Sequence, residues 1–249
     1  MQMDGRLRRN LLGTLRRRIN PTHRYGVAII VCKSIGRSVA GFLPLSGRVM
    51  LIKLDAKPFP LNIIQVYAPT ADKSDDEIAN FYKELEVAWN HTKNHEVTVI
   101  MGDFNAKVGQ GEVEKCGGKF GLGVRNERGG RLVEFWQNKS LVVSNTFFKL
   151  PKRRLWTWKS PAHNQDNIIR NQIDFILIND RFKNCVKSAK TYPGADVNSD
   201  HNPVVASIEI TFKKLKKPSK KQRLDLKKLE NADVPQQTQT EINDNLKGI

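Results

Sequence analysis

The strongest constraint in this sequence is a series of short β-branched runs, several of which start or stop at a carboxylate. "YGVAIIVC" (25–32), "RVMLIKL" (48–54), "LNIIQVY" (61–67), "EVTVIM" (96–101), "LVVSNT" (141–146), "RLWTWKS" (154–160), "QIDFILIN" (172–179) and "VVASIEITF" (204–212) all read as strands. Only two stretches carry helical spacing. Ser74 and Glu77 have the separation of a capping box, and Ile78, Phe81, Leu85 and Ala88 follow as one buried face. "GGRLVEFWQNKS" (129–140) repeats the pattern with Leu132, Val133, Phe135 and Trp136. Many strands with two interspersed helices predict an α/β (α+β) sandwich of two packed, mostly antiparallel β-sheets flanked by helices.

The carboxylates decide what such a sandwich is for. "VTVIMGDFNAKVG" takes a core strand into Asp103 and Asn105, with Gly109 free to turn the backbone. Residues two apart on a strand face the same way. Alone, this pair is as well explained by a loop satisfying its own backbone donors. Asp174 lies inside an apolar run, where a carboxylate needs a partner to offset its desolvation. Asp200 and His201 directly precede another core strand. Three acid-bearing strands meeting at one end suit a hard cation such as Mg²⁺. A histidine beside an acid suits proton transfer or charge stabilisation. Together they predict metal-assisted phosphodiester hydrolysis.

Composition narrows the partner. The net charge of +17 and pI near 9.9 call for a polyanion, with nucleic acid the usual one. Much of the excess sits in "RLRRN", "LRRRIN" and "KKLKKPSKKQR", near the two ends. Cys32, Cys116 and Cys185 are too scattered for a zinc finger or a disulfide scaffold, which fits a reducing nuclear or cytoplasmic setting. No apolar run reaches membrane-spanning length, so no membrane partner is expected. From about Lys213 the apolar pattern gives way to Lys, Gln, Asn and Glu. The expected organisation is a basic segment over 1–24, a folded domain over 25–212 and a basic mobile tail over 213–249 with a short helix in "LDLKKLENA".

"QVYAPT", "MGDFNAKVG", "RLWTWKSP", "QIDFILIN" and "SDHNPVVASI" occur here in the order found in the endonuclease/exonuclease/phosphatase superfamily. Over roughly residues 25–212 the chain most resembles the endonuclease domain of RTE-type non-LTR retrotransposons. The resemblance implies a DNase I-like fold, a DNA substrate, and Mg²⁺ or Mn²⁺ as cofactor with no small organic cofactor. It also implies roles. Tyr67 contacts the scissile phosphate. Asp103 positions or deprotonates the attacking water, and Asn105 helps hold the phosphate. Asp174 orients His201, which stabilises the developing charge. Asp200 serves the metal. Trp158, with Arg153 and Arg154, contacts nucleic acid.

The sequence departs from that pattern at its start. The family's early strands supply a metal-contacting asparagine and a glutamate, the principal ligand. Residues 1–54 contain one acid, Asp4, and Asn10 and Asn20 sit in arginine-rich sequence. The expectation is a domain lacking its first strands and impaired as a nuclease. The competing expectations are a non-catalytic relative that binds nucleic acid or protein, and a retroelement remnant without function.

Overall fold

A six-stranded sheet organises the fold. In chain order its strands are β1 (Val39–Pro44), β2 (Val49–Leu54), β3 (Leu61–Tyr67), β4 (Val97–Asp103), β5 (Leu141–Val143) and β8 (Asp174–Asn179). They lie in the order β1-β2-β3-β4-β8-β5, with every neighbouring pair antiparallel except β3 and β4. β6 (Trp158–Lys159) pairs with β7 (Arg170–Asn171), and β9 (Val186–Thr191) with β10 (Val204–Ile208). This computed structural model describes residues 26–113, 117–162, 169–195 and 198–210, with Gln239, Thr240 and Asn243. The chain divides into two units, Met1–Thr211 and Phe212–Ile249. In the second, the described residues Gln239, Thr240 and Asn243 are helical and exposed. The basic segment 1–24, the helix expected in "LDLKKLENA" and the rest of the tail lie outside the described residues.

The parallel pair requires a crossover, and the crossover is a helix. α1 is a single turn (Lys33–Gly36); α2 spans Asp75–Asn90 and connects β3 to β4. It starts where the capping spacing places it: Ser74 Oγ accepts from Glu77 N at 3.3 Å, and Asp75, Asp76 and Glu77 load acid into the first turn. Its buried residues are Ile78, Phe81, Leu85 and Ala88. α3 (Glu127–Asn138) is capped by Asn126, whose side chain accepts from Gly129 N, and buries Leu132, Val133 and Trp136. Both helices cover one face of the sheet. Trp136 is wholly buried there, edge-on to Phe104 and Phe175. The other face carries Val97, Val99, Ile176 and Ile178, packed with Val204, Ala206 and Ile208 of β10. The second layer is thus a two-stranded ribbon rather than a full sheet among the described residues.

Three strand expectations are corrected. Residues 26–32 form no strand, and Ile30 is 97% exposed. β-branched composition makes a strand only where a neighbour supplies a ladder, and no described strand pairs with this run. "LVVSNT" stops as a strand at Val143; Ser144–Thr146 form a 3₁₀ turn. There the Asn145 side chain takes over the pairing, donating to Asp174 O at 3.1 Å and accepting from Ile176 N at 2.8 Å. "RLWTWKS" keeps only Trp158–Lys159 as strand, because Lys152–Arg154 close a 3₁₀ turn after Pro151.

Candidate active site

The register of the sheet builds the site. Tyr67 on β3 lies opposite Asp103 on β4, and Asp103 lies opposite Asp174 on β8. Register partners share a face, so these three form a row across the sheet's end. Gly102, at φ +144°, brings β4 in tightly just before that row. A Cβ there would stand 1.9 Å from Val66 O, so no other residue fits. Gly109, at φ +81°, turns the chain away after it, as its position suggests.

His201 arrives from the loop before β10. Its backbone bridges Trp158, while Lys159 N donates to Asp200 O at 2.9 Å and Asn202 N to Thr157 O at 2.7 Å. The loop is thereby laid along the 157–159 segment. His201 Nδ1 donates to Asp174 Oδ2 at 3.0 Å. Asp103, Asp174 and His201 each offer a ligand atom, all within 4.8 Å of one another.

The electrostatics follow from this crowding. Burial, then the charge of Asp174, pushes the Asp103 carboxyl up to about 7; Asp200 adds to this, and the Asn105 N–H and His201 oppose it. His201 is raised, first by its hydrogen bond to Asp174, against its partial burial. Three carboxylates face a single imidazole.

The remaining expected residues are placed as follows. Asp200 is exposed, and its Oδ2 accepts from the Trp158 indole at 2.8 Å. It stands beside the Asp103–Asp174–His201 cluster rather than in it. Asn105 lies past the end of β4 at φ +47°; its N–H donates to Asp103 Oδ1 at 2.8 Å and its Nδ2 to Ala68 O at 2.9 Å. Its side chain thus braces the chain after Tyr67. Tyr67 carries the Arg48 guanidinium 5.4 Å from its ring centroid. Arg153 is exposed, and Arg154 donates to Thr191 O at 3.1 Å.

Three supporting residues escaped sequence reasoning. Arg48 also donates to Tyr67 O at 3.2 Å. Buried Thr157 accepts from both Ile173 N and Asp174 N, at 3.0 and 3.1 Å, and fixes where β8 begins. Asn145 holds the same strand from the other side. A polar residue inside an apolar run was the available signal for Thr157 and Asn145; Arg48 carried none.

Residues 61–205 match the endonuclease-reverse transcriptase family, and the chain belongs to it. The fold is the mixed α/β, DNase I-like one of the endonuclease/exonuclease/phosphatase proteins, a family of nuclease-type hydrolases. The chain is 42% identical over 197 residues to craniofacial development protein 2 of Bos taurus, and 41% identical over 197 residues to that of Tragulus javanicus. Each alignment covers 79% of this chain but 33% and 34% of those proteins, so the chain spans about a third of the length of the curated relatives it matches. Among solved structures it is similar to the endonuclease domain of TRAS1, a telomere-specific non-LTR retrotransposon (14% identity, 69% of each chain, TM-score 0.49). It is also similar to the 3′ phosphatase NExo from Neisseria bound to product DNA hairpin (18% identity, 66% of this chain, 65% of that one, TM-score 0.48).

Proposed function

We propose that this chain is a metal-dependent phosphodiesterase of the endonuclease type acting on DNA. The observation that carries the reading is the 3.0 Å Asp174–His201 pair with Asp103 beside it, at the end of a sheet built by this family's motifs. Asp174 accepts from Nδ1 and raises the imidazole, so the protonated ring also carries a proton on Nε2, which donates to the phosphoryl oxygen as negative charge grows there. Asp103, held near neutrality, is suited to accept the proton of an attacking water. Tyr67 presents its hydroxyl to the phosphate, steadied by Arg48 and, through Ala68, by Asn105. The donor set fits a divalent cation: burial and then the charge of Asp174 raise Asp103, and a cation beside it would favour its charged form. Asp103 and Asp174 would hold the ion, which would supply positive charge to the transition state.

The family resemblance implies a glutamate as principal ligand from the early strands, and residues 1–54 contain no glutamate. Mg²⁺ demands near-octahedral oxygen coordination, so fewer carboxylates mean weaker binding. The reading therefore includes low activity for this chain by itself. Plasmid nicking with Mg²⁺ or Mn²⁺ tests it, comparing this chain with a version joined to the glutamate-bearing strands of a relative. The joined protein is expected to nick, and to slow by about a hundredfold or more in His201→Ala and Asp103→Asn. This chain alone is expected to be slower by about a thousandfold. Nicking that is indifferent to both substitutions contradicts the site.

A further inference from the structure

Tyr192 directly follows β9, outside the Asp103–Asp174–His201 cluster. The Arg154 guanidinium lies 5.1 Å from its ring centroid and the Lys190 ammonium 5.4 Å from it. Arg154 is tied further by its bond to Thr191 O. An aromatic ring that holds two cations removes much of the rotamer freedom such side chains would otherwise lose on binding. Arg153 and Arg154 line an open recess of about 380 Å³ with Tyr192 and Gly194. None of Arg153, Arg154 and Lys190 forms an ion pair with a described carboxylate. Arg154 and Lys190 are held on the ring, Arg153 is exposed beside Arg154, and no described carboxylate neutralises them.

We infer that this recess is a phosphate-binding subsite that holds a DNA strand beside the reacting centre; the inference rests on the nuclease reading above. Its position supports the link. Tyr192 N donates to Pro203 O at 3.0 Å, closing the base of the loop that carries Asp200 and His201. A strand held on this patch is held against the loop that presents His201. Like-charged groups spread over one recess suit the repeated charges of a phosphodiester backbone, and such contacts set register rather than read sequence.

The test measures binding of a fluorescent DNA duplex to the full chain between about 50 and 200 mM salt. Three proteins are compared: the parent, Arg153→Gln/Arg154→Gln/Lys190→Gln, and Lys53→Gln/Lys57→Gln/Lys93→Gln. The last removes equal charge near the far ends of β2–β4. Each lost phosphate contact lowers the slope of log K against log salt by about 0.9. The recess variant is expected to lose about two such units and to bind at least tenfold more weakly. The far-end variant is expected to match the parent. Thermal melting controls for folding, and Arg153→Gln/Lys190→Gln, which keeps the Arg154–Thr191 bond, is expected to lose at least one unit. An unchanged slope in the recess variants, an equal loss in the far-end variant, no binding by the parent, or equally effective competition by poly-glutamate overturns the subsite. If the version joined to the glutamate-bearing strands binds with the expected slopes yet cleaves no DNA, the activity is refuted and the subsite stands.

Discussion

At His201 the nitrogen facing Asp174 carries the proton, because a carboxylate only accepts. That bond raises the imidazole, while burial raises the Asp103 carboxyl from 3.8 to about 7. Both shifts act on stability with the same sign. The folded chain holds protons that the unfolded chain has released, so stability is greatest at low pH and falls as pH rises. For Asp103 the loss begins near pH 4 and is complete just above pH 7. For His201 it runs upward from the ordinary histidine value. At about 1.4 kcal/mol per pH unit, Asp103 alone accounts for a few kcal/mol. Asp103→Asn is therefore expected to melt above the parent at pH 8 without metal, and the gap should close toward pH 4. A gap that stays constant across that range contradicts the buried-acid account. These pairings were partly legible beforehand. Asp174 in an apolar run demanded a partner, and "SDHNP" before a core strand offered one. The committed amides were not legible, since nothing in "GDFNA" says that Asn105 spends its Nδ2 on Ala68.

Among the elements, the two helices were the most legible, because a 3.6-residue stripe, a cap and an uncovered sheet face all demand the same thing. Every residue expected on the buried face of α2 is buried. The stripe of α3 is buried apart from Phe135, which is half-buried against the core. Strands were legible where both neighbours are present, as for β2, β3, β4 and β8. They were not where pairing is supplied from elsewhere. β1 was hidden by Gly41 and Pro44, which read as turn residues yet sit in an edge strand where a missing donor is tolerated. β9 was hidden by Lys187, Ser188 and Lys190, polar residues on a ribbon covered on one side only. The joint between helices and site is Trp136, packed against Phe104, which follows Asp103, and Phe175, which follows Asp174. Trp136→Ala is expected to lower stability by about 3–5 kcal/mol in denaturant unfolding. A loss under 1 kcal/mol would mean that α3 does not clamp these strand ends.

At the scale of the whole molecule, one face of the sheet is only partly covered among the described residues. Leu61, Ile63 and Met101 are only half-buried on the side away from the helices, next to the ribbon β9–β10. No helix among the described residues is long and apolar enough to cross a membrane. The site stands at the end of that same face, where Asp103 continues the row of Val97, Val99 and Met101 along β4. The proposed chemistry turns on a cation being drawn to the carboxylates that Asp174 and Asp103 crowd together. Electron paramagnetic resonance of Mn²⁺ titrated into this chain measures that directly. The account predicts a bound Mn²⁺ at neutral pH, with affinity falling about tenfold or more in Asp103→Asn and in Asp174→Asn. Mn²⁺ affinity unchanged by both substitutions would contradict it.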